Sequence, residues 1–164
     1  MKHLIILVFI LWAGRGFSQS DSTFLLTDTG VVSGSYTTRD ILFDLSPRLW
    51  LGKDLYGNDV PTDSVLQAIA TFMKNNPTVT IEIGVHTDTR GGDRACMVIS
   101  QKRAKAVVEH LHDLGVPLKR MMPMGYGESE PLVTDQQIAA AATDAEKEAL
   151  HQLNRRVVLL ILRS

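Results

Sequence analysis

The stretch GVHTDTRGGDRACMVISQKR, residues 84–103, decides the fold, because it joins the end of a strand to the start of a helix. The strand is Thr78 to His86, where apolar residues occupy every second position from Val79, as expected for one buried face. Asp88 therefore lies just beyond the end of the strand. Gly91 and Gly92 then signal a turn.

Arg103 has an unusual position on the helix that follows this turn. We expect the helix to run through Arg103 to Leu114, with Ile99, Val107 and Leu114 close together at 3.6 residues per turn. Arg103 falls inside this apolar stripe, whereas a surface arginine would lie on the opposite side. It is therefore predicted to face the sheet and to need a partner there.

The first half of the chain contains a further strand and a further helix. Residues 41–45, ILFDL, are typical of a strand, and Pro47 ends it. Thr62 suits a helix N-cap, and apolar residues then follow Val65 at the i, i+4, i+7 and i+8 spacing of one buried face. This helix is predicted to end near Asn75.

The second half of the chain completes an alternating order of strands and helices. Lys119 to Met124 is a predicted third strand, and Thr143 with Glu146 forms a capping box for a short helix from Asp144 to about Leu150. Residues 155–162 are the predicted last strand, and their stretch VVLLIL is apolar on both faces, which favours a central strand. The predicted fold is an α/β (α+β) sandwich, β-α-β-α-β-(α)-β, with helices packed on a mixed four-stranded sheet.

The chain is predicted to comprise a signal peptide at 1–18, a flexible leader at 19–38 with room for one edge strand, and one domain at 39–164. Lys2 and His3 precede the apolar run 4–13, and Gly16 and Ser18 supply small residues for cleavage after Ser18. This run is shorter than the roughly 20 apolar residues that span a membrane. We therefore expect an exported mature chain without a transmembrane segment.

Composition excludes several classes of function. Removing residues 1–18 takes away Lys2 and Arg15, which leaves 15 basic against 18 acidic residues. Without a cluster of basic residues there is no electrostatic case for binding nucleic acid. Cys96 is the single cysteine, so it is interpreted as a small buried apolar side chain and not as half of an intramolecular disulfide.

Several short motifs in a fixed order resemble the OmpA-like peptidoglycan-binding domain, over residues from about 40 to 162. The motifs that carry the resemblance are His86-Thr87-Asp88, Gly91, Ser100 with Arg103 and Ala104, Gly115-Val116, Arg120, the GYGE of residues 125–128, Pro131, and the NRRV of residues 154–157. One tetrapeptide would be weak evidence, whereas this series of motifs in a fixed order is strong evidence. The resemblance implies the OmpA-like C-terminal fold and non-covalent binding of peptidoglycan.

Asp88 and Arg103 are the main binding candidates. The resemblance implies that Asp88 takes the ammonium and Arg103 the carboxylate at the far end of diaminopimelate in the wall stem peptide. These pairings suit the two groups, because a guanidinium holds a carboxylate through two parallel hydrogen bonds. A structural alternative is a salt bridge between Asp88 and Arg103 that ties the turn to the helix.

Five further residues are candidates for contact with the peptide: Thr87, Arg90, Ser46, Cys96 and Arg155. Ser46 and Cys96 stand where the family usually has asparagine, so hydrogen bonds from a side-chain amide are lost at both positions. Arg155 can border the cleft or support its loops.

No metal, cofactor or catalytic residue is expected. His110 and His112 are two positions apart on a helix, unlike the i, i+4 pair of a zinc helix. Cys96 with His86 lacks an orienting group and an oxyanion-hole motif, which argues against a cysteine hydrolase. The alternative to wall binding is a degenerate domain that serves as a protein-interaction module in the envelope, with outer-membrane or other envelope proteins as partners.

Overall fold

The computed structural model describes residues 34–44, 47–49, 51–53 and 57–163. The helices and strands, in chain order, are β1 (Ser35–Thr38), α1 (Thr62–Asn75), β2 (Thr80–His86), α2 (Asp93–Asp113), a 3-10 turn (Leu118–Arg120), β3 (Met121–Gly127), α3 (Asp135–Ala139), α4 (Asp144–Asn154) and β4 (Arg156–Arg163). This order confirms the predicted alternation. The predicted signal peptide and most of the predicted leader lie outside the described residues.

The sheet is mixed, with strand order β1-β4-β2-β3. β2 pairs with β3 in parallel, whereas β4 pairs antiparallel with both β1 and β2. A central position for β4 is therefore confirmed. Its two faces are unequal, however, because Val157 and Leu159 are buried and Leu160 and Leu162 are exposed.

The strand predicted to begin at Ile41 is wrong, whereas the edge strand allowed for in the leader is present as β1. Residues 41–44 do not form a strand, and Phe43 makes only an isolated bridge with Leu49. The edge strand is β1, within the segment predicted as leader. The Thr62 hydroxyl explains the difference, because it accepts from the backbone of Leu42 at 3.0 Å and donates to the Asp40 carbonyl at 3.1 Å. These bonds hold the segment over the start of α1.

One core lies between the sheet and the two long helices. Its fully buried side chains include Leu66, Ile69 and Met73 of α1, Val107 and Leu111 of α2, and Ile83, Val85 and Val157 of the sheet. Burying a side chain of this size contributes about 1.5–3 kcal/mol. The core therefore fixes β2, whose end is followed by Asp88, and α2, which carries Arg103.

β2 is buried on both faces, which corrects the prediction of a single buried face. Glu82 and His86, on the side opposite the core, are 8% and 5% exposed. Tyr126 covers them, since its ring stacks on His86 with centroids 4.8 Å apart and its hydroxyl donates to Glu82 at 2.5 Å. In this strand, the polar residues at alternate positions therefore did not indicate a solvent-exposed face.

The buried stripe of α2 also differs from the prediction. It comprises Cys96, Ser100, Ala104, Val107, Val108 and Leu111, whereas Ile99 and Leu114 are only partly buried. α2 begins ten residues before Arg103, directly after Gly92, whose φ of 76° suits glycine. Arg103 is therefore next to the buried stripe of α2 and not within it, and its side chain is partly buried.

α2 approaches β3 very closely at Gly125. A Cβ atom on Gly125 would lie 2.2 Å from the backbone N of Gln101. Gln101 uses this proximity, since its side chain accepts from Gly125 N at 2.8 Å and donates to Pro123 O at 3.2 Å. These bonds satisfy backbone groups at the outer edge of β3 and fix the axial position of α2.

Helix starts show where local sequence signals succeed and fail. The capping box of Thr143 and Glu146 is confirmed, and α4 extends beyond its predicted end to Asn154. The N-cap prediction for Thr62 is wrong, because Pro61 takes that position and the Thr62 side chain makes no cap bond. Within the described ranges, no helix has the length and apolar character needed to cross a membrane.

Candidate functional site

The carboxylate of Asp88 lies directly after β2 and is the centre of the candidate site. Its Oδ2 accepts from Nη2 of Arg90 at 2.7 Å, from Nε of Arg90 at 3.2 Å and from Nη1 of Arg155. Its Oδ1 accepts only the backbone N–H of Arg90, at 3.1 Å, among the hydrogen bonds of the described residues. Oδ1 therefore has the greater remaining capacity to accept a hydrogen bond.

The net effect of this environment is a lowered pKa for Asp88. Burial of the side chain, which is 10% exposed, acts to raise the pKa. Hydrogen bonds from Arg90 and Arg155 act in the opposite direction and prevail. Asp88 is therefore a carboxylate at neutral pH and can accept a hydrogen bond from a cation.

Glu148 of α4 joins the two arginines a second time. Its Oε1 accepts from Nη2 of Arg155 at 2.6 Å and its Oε2 accepts from Nη1 of Arg90 at 2.9 Å. Hydrogen bonds from Arg155 and Arg90 lower the pKa of Glu148. Asp88, Arg90, Arg155 and Glu148 thus form a closed ring of alternating charges, which we call the ion ring.

Arg103 lies apart from the ion ring. Its Nη2 donates to the backbone carbonyl of Asp44 at 3.0 Å, and its guanidinium lies over the ring of Phe43, 5.1 Å from the centroid. Its Nε is buried without a hydrogen-bond partner. Burial lowers the pKa of Arg103, although nearby Asp44 and Asp88 oppose the shift. Arg103 remains cationic, with donor capacity left for a ligand.

The salt bridge considered between Asp88 and Arg103 does not form, since no ion pair within the described ranges joins them. Asp88 uses Arg90 and Arg155 instead, and Arg103 contacts the segment around Phe43. The hydrogen-bond partner of Arg103 is therefore not in the sheet, where it was expected. Its partner is a backbone carbonyl, because the segment that follows β1 crosses α2 there.

Thr87 and Cys96 form the buried floor behind Asp88. Thr87 is 7% exposed and donates its backbone N–H to Gly127 O at 2.8 Å. Cys96 is 4% exposed, with its Sγ 3.7 Å from Asp88 O and 3.4 Å from Oε2 of Glu128. Burial raises the pKa of the thiol. Ser46, also a predicted contact, lies outside the described residues.

An open cavity of about 580 Å³ adjoins this floor. It is lined by Thr89, Asp93, Met97, Tyr126, Glu128, Ser129, Pro131, Thr134 and Asp135. A hydrogen bond with Asp93 raises the pKa of Glu128, and Thr89 donates to Asp135 at 2.5 Å. The cavity therefore has an acidic rim, in contrast to the arginine-rich ion ring.

Metal binding has no geometric support in the described part of the chain. No three His, Cys, Asp or Glu side chains are grouped there so that they could hold a metal ion. His110 and His112 point in different directions: His112 contacts the Val116 carbonyl at 3.1 Å, whereas His110 lies 3.9 Å from Asp63. Each histidine thus has a neighbour of its own.

Comparison with known proteins identifies the family. Residues 59–145 match the OmpA family, which is more than half of the chain. The chain belongs to the OmpA family. The matched segment includes β2, α2 and β3, and with them Asp88 and Arg103. The predicted OmpA-like fold and the suggested resemblance are thereby confirmed.

The relatives of this OmpA-family chain are proteins of the bacterial envelope. The peptidoglycan-associated lipoprotein of Pasteurella multocida is 27% identical over 147 residues, which cover 90% of this chain and 87% of the relative. The outer membrane porin F of Pseudomonas fluorescens is 36% identical over 81 residues, which cover 49% of this chain and a quarter of the porin. These names describe association with the wall or membrane and no chemical reaction.

Solved structures agree with the OmpA-family fold. The peptidoglycan-associated lipoprotein of Burkholderia pseudomallei has a TM-score of 0.54 and 28% identity, over 74% of this chain and 87% of that one. The periplasmic domain of MotB from Helicobacter pylori has a TM-score of 0.58 at 14% identity, over 80% and 83% of the two chains. The second likeness concerns the fold alone.

Glu148 is the site residue that sequence reasoning missed. It is 58 positions from Arg90 and lies in a connection whose helix was predicted to end at about Leu150. The capping box at Thr143 placed this residue on a helix, which was the available signal. The Glu148 side chain points toward the cleft because of the way α4 packs on the domain. No local sequence pattern specifies this packing.

Proposed function

We propose that this protein binds the stem peptide of diaminopimelate-type peptidoglycan without chemical reaction. Asp88 takes the ammonium at the far end of diaminopimelate, and Arg103 takes the carboxylate on the same carbon. The names of the relatives support wall association in general, and the geometry of this chain supports the choice of residues.

The observation that carries the proposal is that the charge of Asp88 acts on Arg103, although the two side chains are not paired with each other. Asp88 accepts its guanidinium bonds through Oδ2, so Oδ1 can accept from an ammonium. Arg103 makes one hydrogen bond to a backbone carbonyl, and its Nε has none. A buried guanidinium with donor capacity left is stabilised by a ligand carboxylate, which offers two acceptors.

Diaminopimelate fits this pair of groups better than lysine does. Lysine lacks the carboxylate on the terminal carbon, so a lysine-type stem would leave Arg103 desolvated and without its anion. Leaving such a donor unsatisfied costs on the order of 1–3 kcal/mol, or more for a charged group. We therefore expect selectivity for diaminopimelate-type walls, with the protein acting in the periplasm or at the outer membrane.

Co-sedimentation with purified sacculi tests the proposal. Wild-type protein is expected to pellet with diaminopimelate-type sacculi and to remain largely in the supernatant with lysine-type sacculi. Asp88→Ala and Arg103→Ala are expected to abolish pelleting. Arg94→Ala is a matched control, because Arg94 is exposed in the first turn of α2 and lies outside the proposed contacts.

The outcomes separate the two functions considered for the chain. Equal pelleting of wild type, Asp88→Ala and Arg103→Ala would contradict recognition by these residues. No pelleting by folded wild-type protein would instead support an interaction module in the envelope, whose partner a pull-down from envelope extract would then have to recover. Circular dichroism of each variant shows whether loss of binding follows from loss of fold.

A further inference from the structure

The ion ring contains an arrangement that binding of a single ammonium does not require. Arg90 and Arg155 are 65 positions apart in the chain, and each donates to a different oxygen of the Glu148 carboxylate. Two guanidiniums on the two oxygens of one carboxylate form a built carboxylate site. In this structure its occupant is a side chain of the protein itself.

We propose that Arg90 and Arg155 form a second carboxylate subsite, which Glu148 occupies in the free protein and a second carboxylate of the stem peptide occupies in the complex. This inference rests on the proposed function, since the ligand must be held by Asp88 and Arg103 next to the subsite. Its ligand class is an α-carboxylate of the peptide other than that of the diaminopimelate terminus.

Exposure makes the exchange feasible. The side chains of Glu148 and Arg90 are 44% and 51% exposed, and that of Arg155 is 34% exposed. Ion pairs with this degree of exposure contribute little to stability, because water screens the two charges. Glu148 can therefore swing into water at small cost. Asp88, by contrast, is 10% exposed and keeps both guanidiniums in place during the exchange.

Donor counting shows that the arginines can accept the ligand without losing Asp88. A guanidinium has five N–H donors. Arg90 uses Nε and Nη2 on Asp88 and Nη1 on Glu148, while Arg155 uses Nη1 on Asp88 and Nη2 on Glu148. The donors that hold Glu148 are thus separate from the main contacts to Asp88. A ligand carboxylate can take those donors over.

The peptidoglycan stem supplies a carboxylate of this kind. Its D-glutamate is linked through the γ-carboxyl, so the α-carboxylate is free unless the wall is amidated. That group precedes diaminopimelate by one residue. Binding by Arg90 and Arg155 would make this protein discriminate between stems with D-glutamate and stems with the uncharged isoglutamine.

Calorimetric titration of Glu148→Gln with two soluble peptides tests the inference. Both are L-alanyl-γ-D-glutamyl-diaminopimelate tripeptides, one with the α-carboxylate of glutamate free and one with it amidated. Removing the competing charge is expected to tighten binding of the free form roughly tenfold, about the worth of one charge-assisted hydrogen bond. Binding of the amidated form is expected to stay within about twofold.

Two further variants make the result specific. Arg90→Ala in the Glu148→Gln background is expected to remove the gain for the free form. Glu109→Gln, at an exposed position of α2, is the charge-matched control and is expected to leave both affinities unchanged. If Glu148→Gln changes the affinity for both peptides by the same factor, Glu148 only supports the loops and the inference is wrong. If no variant binds either peptide, the proposed function fails and the inference fails with it.

Discussion

Arg90 donates to Asp88 from its backbone and from its guanidinium, with Nη2 2.7 Å from Oδ2, so one residue covers one side of the carboxylate. Arg155 adds a second guanidinium to the same oxygen. The arrangement orients Asp88 so that its other oxygen remains available. A ligand ammonium then approaches a carboxylate whose charge is already partly balanced, so affinity depends also on the contact of Arg103 with the ligand carboxylate.

Replacing Asp88 with asparagine is expected to lower the free energy of unfolding by about 1–3 kcal/mol at pH 7, because two arginines lose a buried anionic partner. The lowered pKa of Asp88 means that this stabilisation is present above the ordinary value of 3.8 and is lost as pH falls through the folded pKa. Urea unfolding of wild type and Asp88→Asn should therefore differ at pH 7 and converge at strongly acidic pH.

His86 is expected to make stability fall between pH 6.5 and about 4. Burial, followed by the charge of Arg156, lowers the pKa of His86 from 6.5 to about 4, so the unfolded chain binds the proton first as pH falls. His86→Phe keeps an aromatic ring against Tyr126 and removes the titration. The urea concentration at the midpoint of unfolding should fall from pH 7 to pH 5 for wild type, and it should fall less for His86→Phe. Equal drops would contradict this assignment.

Gly125→Ala is expected to destabilise the domain by about 3 kcal/mol and to weaken wall binding, because overpacking displaces a helix. The added Cβ meets backbone atoms of Gln101, which move only with α2 and its Arg103. Gly84→Ala is a matched comparison on β2, where the added Cβ lies 2.9 Å from the Tyr126 ring and a side chain can shift. Thermal unfolding should show a clearly larger loss for Gly125→Ala.

Cys96 is expected to resist alkylation in the folded protein. It is 4% exposed and burial raises the pKa of its thiol, and the thiolate is the nucleophile. Mass spectrometry after iodoacetamide treatment should show little modification in native buffer and complete modification in urea. Rapid modification of the native protein would show that the floor of the site opens readily.

Local signals predicted the parts of the fold that local interactions determine. Thr143 and Glu146 lie three positions apart and cap α4 as expected, and Thr134 with Gln137 caps α3 in the same way, although that box was overlooked. Thr62 has the same chemistry, but its hydroxyl bonds to a backbone 22 positions earlier. Its role depended on a contact that only the folded chain creates.

The candidate site was predictable to a similar degree. The order of Asp88 after a strand and Arg103 on the next helix pointed to one site, because that helix packs beside the strand. The identity of their partners was not predictable, since Arg155 and Glu148 reach Asp88 and Arg90 across 67 and 58 positions. Long side chains from distant helices and loops determine which charges pair, and the spacing of residues in the sequence does not predict these pairs.

The most direct test of peptidoglycan recognition is calorimetric titration of the wild-type protein with two stem tripeptides that differ only in ending with diaminopimelate or lysine. We expect the diaminopimelate peptide to bind roughly tenfold tighter or more, since the lysine peptide leaves Arg103 without its anion. Arg103→Ala should remove this difference. Equal affinity of wild-type protein for both peptides would contradict the account.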